Sequence, residues 1–439
     1  MASDLIAFES LFKTPLRNGL TRPKAVRGVG TKMVNMGEIF AHGRIGDIAM
    51  DRVQLDEREM RSFLLEPGDL LFARQSLVLE GAGKCSIFLG SEEDVTFESH
   101  IIRTRIDCNL GNPTFFYYFF QSPTGRNAIR SIVEQVAAAG IRGSDLAKLD
   151  VPNVPLPTQD AIASILSALD EKIALNREMS ETLEEMARTL FKSWFVDFDP
   201  VRAKLEECDA GLPKTVADLF PDDFQSSELG SIPKGWSTRA VYDCATFVNG
   251  LVFRTGSFSL EKLGLPVIKI GELKAGITSQ TKFTTETFEE KYRVRSGDVL
   301  FSWSGSPDTS IDTFLWTDVE GWLNQHIFKV QFHSSEQKLF VYYLLRFLKN
   351  LFVEIARNKQ TTGLGHVTAD DMRRLRICWP PPELLSAFNR VVDPLFNKSY
   401  SCRIESSTLS KMRDTLLPKL ISGELQIPHP ERILGGQKP

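Results

Sequence analysis

The most regular hydrophobic pattern in the chain runs from Thr158 to about Phe195, where apolar and small side chains recur at alternating steps of four and three. Charged residues occupy the other faces, so the pattern is typical of a coiled-coil helix. At about 1.5 Å per residue such a helix is roughly 55 Å long, too long for one small domain to bury. The predicted seam includes Ile162, Leu166, Leu169, Ile173, Leu183, Leu190 and Trp194.

The ends of this pattern predict where the helix starts and stops. Thr158 is a suitable N-cap after Pro157, and Pro200 sets the outer limit. A second segment of similar length follows Pro382 with a less regular seam, and Pro394 should kink this helix early or delay its start. The seam residues predicted for the second helix are Phe388, Val392, Leu395, Leu409 and Leu416.

The segments that precede the two long helices repeat one another. Five short matches occur in the same order with a slowly drifting offset, which indicates a duplication. The matches are NGL at Asn18 and Asn249, MVNMGEI and VIKIGEL around Gly37 and Gly271, PGDLLFA and SGDVLFS around Gly68 and Gly297, the strands at His100 and His326, and the loops at Gly140 and Gly363.

The duplication predicts an α+β fold with two similar mixed α/β domains. Two long helices would join them and pair as an antiparallel coiled coil, with an approximate two-fold axis relating the copies. The predicted ranges are 1–157 for the first domain, 158–199 for the first helix, 200–236 for a linker, 237–381 for the second domain, 382–425 for the second helix and 426–439 for a tail.

The charge of the chain is unevenly distributed. A net charge of −4 argues at first against a polyanionic partner. However, residues 158–232 carry 7 Lys+Arg against 16 Asp+Glu, whereas residues 233–439 carry 27 against 21. Because local charge decides what a surface attracts, we expect the acidic first helix to repel DNA phosphates and the domains to make the contacts to DNA.

Residues 10–37 contain no Asp or Glu but several cations, separated by glycines. Such a stretch suits contacts to DNA phosphates, with one Arg or Asn left to read a base edge. A solvated cationic loop is the alternative interpretation. The candidates are Arg17, Asn18, Arg22, Lys24, Arg27 and Lys32.

The repeated loops supply further DNA-binding candidates, and their side chains differ between the two halves. Two half-sites of different sequence would require such differences, although drift of loop sequences predicts the same pattern. The candidates in the first half are Arg74, Gln75, Ser76 and Arg142. Those in the second half are Asn249, Arg254, Lys269, Lys274, Ser302, Trp303, Ser304, Thr361, Thr362 and His366.

Motifs of catalysis or metal binding do not emerge from the sequence. It has no P-loop, dinucleotide fingerprint, H-E-x-x-H or G-x-S-x-G string, and its six cysteines lie far apart. His100 and His326 lie in apolar strands, so we interpret them as core side chains. The sequence favours a non-catalytic recognition protein of the cytoplasm, without a signal peptide or membrane span. The alternatives are a self-contained DNA methyltransferase or nuclease and a coiled-coil scaffold that binds no nucleic acid.

Three strings add a family resemblance. SWFVDFDPVRAK from Ser193, ELGSIPKGW from Glu228 and LLPKLISGEL from Leu416 resemble the specificity subunit of type I restriction–modification enzymes. The resemblance implies two target-recognition domains, each of which reads one half of a split site in double-stranded DNA. It also implies that the long helices set the spacing and carry two modification (methyltransferase) subunits, and that restriction subunits join the full complex.

The resemblance assigns the chemistry to those partner subunits. They would use S-adenosylmethionine, ATP and Mg²⁺, and this chain itself would bind no cofactor. The outer faces and ends of the helices would meet the modification subunits. Trp194 and Phe195 are suitable interface anchors by residue type, although Trp194 fits the seam equally well.

Overall fold

The computed structural model describes residues 4–135, 139–360, 363–428 and 430. The chain divides into two units. The first unit contains the residues up to Lys172 and those from Leu409 onwards, and the second contains Ile173–Thr408. Each long helix contributes one part to each unit. Mixed sheets combined with two long helices confirm the predicted α+β class.

A five-stranded sheet forms the centre of the first unit. Its strands, in order across the sheet, are Phe12–Asn18, Ile101–Ile106, Leu70–Ala73, Cys85–Phe88 and Arg44–Ile45. Leu70 and Phe72 belong to one hydrophobic cluster and Leu71 and Ala73 to another. Because successive strand residues point to opposite faces, this continuous apolar run means that the sheet is covered on both sides.

Smaller elements surround this sheet. A three-stranded sheet contains Asp51–Val53, Arg27–Val34 and Val95–Phe97, another contains Glu134–Gln135, Ala139–Gly140 and Gln75–Ser76, and Leu5–Ala7 pairs with Asp150–Pro152. The short α-helices are Met36–Ala41, Glu57–Phe63, Pro113–Gln121, Pro123–Ser131 and Gly143–Ala147.

The second unit repeats the central sheet in the same strand order. The strands are Ala245–Asn249, Ile327–Phe332, Val299–Ser302 and Asp312–Leu315. A second sheet contains Phe283–Thr284, Leu265–Ile268, Gly321–Leu323 and Arg293–Val294. The strand pairs are Ser304–Gly305 with Gly365–His366, Ser237–Ala240 with Arg376–Trp379, and Phe224–Ser227 with Gly230–Pro233. The short α-helices are Asp199–Leu205, Lys214–Ala217, Ile270–Ala275, Pro307–Ser310, Lys338–Phe347, Lys349–Asn358 and Ala369–Arg374.

The segment interpreted as a linker, 200–236, is a folded part of the second unit. Phe220 and Trp236 are buried in its core. The Trp194 ring packs edge-on against Phe220 at 5.2 Å between centroids, and Phe195 lies 6.0 Å from Trp236. The strings SWFVDFDPVRAK and IPKGW therefore supply aromatic side chains to one core, and Trp194 and Phe195 are not exposed anchors for a partner.

The first long helix spans Leu156–Lys192 and the second Pro382–Ile421. The first begins two residues before the predicted cap, because the Pro155 carbonyl accepts the N–H groups of Thr158 and Gln159. Proline is tolerated in a first helical turn, where its missing N–H has no intrahelical partner. The second helix passes through Pro394 without interruption, so its start is not delayed.

The two helices pack side by side and run antiparallel. In the second unit, Asn176 donates to Glu405 at 2.8 Å and the Ser180 and Ser399 hydroxyls lie 2.8 Å apart, so residue numbers rise on one helix as they fall on the other. In the first unit, Arg413 donates to Asp170 at 2.6 Å.

The buried stripe follows the predicted seam only in part. Ile162, Leu166, Ile173, Trp194, Phe388 and Val392 are buried, whereas Leu169 and Leu409 are half-buried. Four further predicted seam residues are only half-buried, and in each case the next residue along the chain is buried instead. The half-buried residues are Leu183, Leu190, Leu395 and Leu416, and the buried ones are Glu184, Phe191, Phe396 and Leu417. An α-helix has 3.6 residues per turn, so positions seven residues apart do not lie exactly above one another, and a strict heptad stripe rotates around the helix by about 20° per heptad. Moving the buried position one residue along the chain compensates for this rotation.

Among the described residues, no helix combines the length and the apolar character needed to cross a membrane.

Candidate nucleic-acid interface

One hydrogen-bonding arrangement occurs in both units, at the end of the central sheet. In the first unit the Arg74 backbone N–H donates to the His100 carbonyl at 2.7 Å, and Ile141 N–H donates to the Arg74 carbonyl at 3.0 Å. In the second unit Trp303 N–H donates to the His326 carbonyl at 3.3 Å, and Val367 N–H donates to the Trp303 carbonyl at 2.8 Å. Arg74 and Trp303 therefore hold equivalent positions.

The repeated N-G motifs lie beside Arg74 and Trp303, because each motif bonds to the first residue of the strand that follows His100 or His326. Gly19 N–H donates to Ile101 at 3.2 Å, and Gly250 N–H donates to Ile327 at 3.2 Å. A Cβ at Gly19 would lie 2.2 Å from the Phe97 carbonyl oxygen, and one at Gly250 would lie 2.2 Å from that of Asn324. Both positions require glycine because another backbone segment passes this close. Asn18 and Asn249 therefore end their strands at the same place in each unit.

A short strand pairing joins the other two repeated loops. In the first unit Gln75 pairs with Gly140 and Ser76 with Ala139. In the second unit Ser304 pairs with His366 and Gly305 with Gly365. Loops that are far apart in the sequence thus meet beside Arg74 and Trp303. We call this set of residues the strand-end cluster, which comprises Asn18, Arg74, Gln75, Ser76, His100 and Arg142 in the first unit and Asn249, Trp303, Ser304, His326 and His366 in the second.

The sequence predicts that His100 and His326 are core side chains, and this prediction is wrong. His100 and His326 are both exposed. Each lies in the turn immediately before its apolar strand, which starts at Ile101 or Ile327, so the alternation of the strand does not apply to it. The repetition of a histidine at the same place beside the candidate loops was the signal that could have identified them.

The side chains of the two clusters differ in chemistry. In the first unit Arg74 is half-buried, Gln75 and Asn18 are exposed, and exposed Arg142 pairs with Glu134 at 2.8 Å. In the second unit the Trp303 ring stacks on Phe328 at 5.7 Å and lies 5.8 Å from the His326 ring. Trp303 Nε1 also donates to Asn249 Oδ1 at 3.1 Å. One surface is thus rich in charged and amide groups, and the other is aromatic.

Ser302 does not belong to this surface, contrary to the prediction. Its side chain is fully buried in the strand Val299–Ser302, between neighbouring strands of the central sheet. A buried hydroxyl cannot contact DNA, so the exposed part of this loop begins at Trp303. Thr361 and Thr362, also predicted, lie outside the described residues.

The acid-free stretch is only partly available to a polyanion. Arg22 pairs with Glu59 at 2.5 Å, Arg27 with Asp51 at 2.8 Å, and Lys32 with Asp47 at 2.5 Å. These carboxylates come from other segments, which a count of local charge does not include. Arg17 and Lys24 remain exposed, with the Arg17 guanidinium 5.0 Å from the Phe63 ring centroid.

Lys32 belongs to a chain of ion pairs. It also contacts Glu93 at 3.1 Å, and Arg52 contacts the same carboxylate at 2.7 Å. Hydrogen bonds from Arg52 and Lys32 lower the pKa of Glu93 to about 2, and those to Asp47 and Glu93 raise the pKa of Lys32. The charge of Lys32 is therefore compensated within the protein.

The remaining predicted cations of the second unit are accessible. Arg254 and Lys274 are exposed. Lys269 is half-buried, with its ammonium group 4.7 Å from the Phe258 ring centroid.

In each unit a carboxylate with little exposure bonds to both long helices or their neighbours, Asp170 being half-buried and Glu184 buried. Asp170 accepts hydrogen bonds from the Tyr118 hydroxyl at 2.7 Å and from Arg413 at 2.6 Å. Because Tyr118 lies on the aromatic helix Pro113–Gln121 and Arg413 on the second long helix, Asp170 joins three helices.

Glu184 makes the corresponding contacts in the second unit. It lies 2.9 Å from Arg346 and 3.3 Å from Arg403, and it accepts a hydrogen bond from the Tyr342 hydroxyl at 3.3 Å. Burial raises the pKa of Tyr342 to about 12, so this hydroxyl remains a donor. These contacts fix the helix Pro113–Gln121 in the first unit and the helix Lys338–Phe347 in the second to the adjoining section of the helix pair.

No group of three or more His, Cys, Asp or Glu side chains within the described ranges could hold a metal ion. The geometry thus places the same surface arrangement at the end of two mixed sheets, as expected of a modular recognition protein. The model of the family described as "Type I restriction modification DNA specificity domain" matches residues 51–185 and 233–384. These ranges cover more than half of the chain, and the chain belongs to this family.

Similar proteins agree with that assignment. The specificity subunit of the type I restriction enzyme MjaIX from Methanocaldococcus jannaschii is 28% identical over 322 residues, which cover 71% of this chain and 69% of the relative. The HindI specificity subunit from Haemophilus influenzae is 23% identical over 415 residues, 82% of this chain and 87% of the relative. The crystal structure of an S subunit of a type I system from M. genitalium has the same fold, with a TM-score of 0.57, 14% identity and 95% coverage of both chains.

Proposed function

We propose that each unit reads one half of a bipartite site in double-stranded DNA through its strand-end cluster. The observation that carries this proposal is that one backbone arrangement presents different side chains in the two units, with Arg74 at one position and Trp303 at its equivalent. A common scaffold with different groups at its end is what two half-sites of different sequence require. Arg, Gln and Asn suit purine edges in the major groove, and an indole supplies an apolar contact surface.

The chain would be non-catalytic and would act within a larger complex. Two modification subunits would methylate the DNA using S-adenosylmethionine, and restriction subunits would add ATP- and Mg²⁺-dependent cleavage. The paired long helices would set the spacing between the half-sites. This function places the protein in the cytoplasm, together with the DNA.

The outward face of the first long helix is the surface that we propose for a modification subunit. Within the second unit this face forms a shallow groove of about 650 Å³, lined by Glu181, Thr182, Glu185, Met186, Thr189 and Leu190. Met186 is 50% exposed, so the groove offers apolar area between acidic side chains. An exposed apolar strip with charged margins is a common form of protein interface.

Sequencing of modified bases tests the function directly. Cells that carry the chain together with its modification subunits should acquire methylation at one split motif, and cells without the chain should lack it. Methylation at a continuous motif would contradict the reading of two half-sites. Methylation that persists without this chain would show that specificity resides elsewhere. Purified chain that binds S-adenosylmethionine by itself would favour a self-contained methyltransferase.

A further inference from the structure

Three cations of the first unit form a cluster that neither the strand-end cluster nor the acid-free stretch includes. Lys84 ends the loop that follows Gln75–Ser76, and Arg126 and Arg130 lie on the helix Pro123–Ser131. Arg126 donates to the Glu80 carbonyl at 2.6 Å, and Lys84 donates to the Phe40 carbonyl at 2.7 Å. The cluster is therefore held against the loop that continues directly from the strand-end cluster.

Two of these cations, Lys84 and Arg126, bind backbone oxygens. None of the three forms an ion pair with an acid in the part of the chain that the structure describes, and Arg130 is exposed. Burial lowers the pKa of Lys84, and repulsion from Arg126 adds to this effect. Burial also lowers the pKa of Arg126, with further repulsion from Arg130. The like charges are thus close enough to disfavour one another, and an anion between them would relieve this.

In the second unit the cations on and after the equivalent helix are paired with acids. On and after the helix Lys349–Asn358, Lys349 pairs with Asp312 at 2.5 Å, Arg357 pairs with Asp308, and Lys359 pairs with Asp371 at 2.6 Å. Each of these cations is neutralised by an acid of its own unit. The fold therefore does not require uncompensated charge on this helix.

We propose that Lys84, Arg126 and Arg130 bind phosphate groups of the DNA backbone beside the half-site read by the first unit. The inference rests on the proposed function and deepens it, because it assigns to this patch the affinity for DNA and not the choice of bases. Guanidinium groups match phosphate geometry, and fixed cations near a duplex gain free energy by releasing condensed counterions. The matching helix of the second unit would contribute no comparable contact.

The test measures the salt dependence of DNA binding by the assembled complex. The double variant Arg126→Gln/Arg130→Gln is compared with wild type and with Arg357→Gln, the matched control in the second unit, by fluorescence anisotropy over a range of NaCl concentrations. Each lost phosphate contact reduces the slope of log K against log salt by about 0.9, so the double variant should be shallower by about 1.8. It should weaken target and scrambled duplexes equally, and Arg357→Gln should match wild type.

Arg130→Gln alone guards against a folding defect, because this side chain is exposed, and its expected change in slope is about 0.9. An unchanged slope in both variants would overturn the proposal, as would an equal change in Arg357→Gln. Altered choice of bases without a change in slope would also overturn it. A wild-type complex that does not prefer its target over a scrambled duplex would refute the proposed function itself. Failure of the proposed function can therefore be distinguished from failure of the phosphate-contact proposal.

Discussion

Trp303 donates its indole N–H to the Asn249 side chain across 3.1 Å, and this bond joins two predicted DNA-contacting residues that lie 54 positions apart. The bond orients the ring, which also stacks on Phe328. The equivalent residue in the first unit is Arg74, a half-buried cation. The same position therefore presents a fixed aromatic surface in one unit and a cation in the other.

Trp303→Ala should relax the choice of bases in one half-site and leave the other half-site unchanged. Arg74→Ala is its matched counterpart and should relax only the other half-site. A well-formed side-chain contact contributes about 1–3 kcal/mol of discrimination against the wrong base, so the complex that contains each variant should methylate DNA sites that the wild-type complex does not. Sequencing of modified bases in cells that carry each variant checks this. Changes in both half-sites from a single substitution would contradict independent reading.

Lys24→Gln should reduce the salt dependence of DNA binding, whereas Lys32→Gln should not. Lys24 is exposed, and the charge of Lys32 is compensated by Asp47 and Glu93. If Lys24 holds one phosphate, the slope should fall by about 0.9. Binding titrations of the complex at several salt concentrations measure it. A larger effect from Lys32→Gln than from Lys24→Gln would show that the internal ion pairs open when DNA binds.

Glu184→Ala should destabilise the protein strongly. The substitution leaves Arg346 and Arg403 without their carboxylate, and loss of one partner from a buried ion pair costs about 3–5 kcal/mol. Urea unfolding of the purified chain measures the change. Glu185→Ala, at the exposed neighbouring position, is the control and should change stability by about 0.5 kcal/mol or less. Similar stabilities for the two variants would mean that the Glu184 contacts contribute little.

Met186→Glu should weaken assembly with the modification subunits and leave the fold intact. The substitution adds charge to the apolar strip between Glu181 and Glu185, where side chains are exposed in the isolated chain. Co-purification with the modification subunits measures assembly, and the melting temperature of the chain reports on folding. Met412→Glu, at a comparably exposed position on the second long helix, is the control. Unimpaired co-purification of Met186→Glu would exclude this groove from the partner interface.

The sequence by itself determined the architecture, because the signals involved are local or repetitive. The spacing of apolar side chains from Ile162 to Trp194 is sufficient to specify a long amphipathic helix. The repeated N-G, G-D and histidine motifs identified the duplication, and the structure places them in equivalent hydrogen bonds, as at His100 and His326. The three strings of the family resemblance identified the class of protein.

Only the tertiary structure decided which charges remain available and which seam positions are buried. The acids that neutralise Arg22, Arg27 and Lys32 come from distant segments, so no window of sequence reveals them. That Glu184 is buried in place of its neighbour Leu183 depends on the helical twist and on Arg346 and Arg403, which lie on other helices. Ion pairing and burial are set by neighbours in space, whereas periodicity is set by neighbours along the chain. For this reason the fold and most residues of the strand-end cluster could be inferred from the sequence, whereas the set of charges left without an internal partner could not.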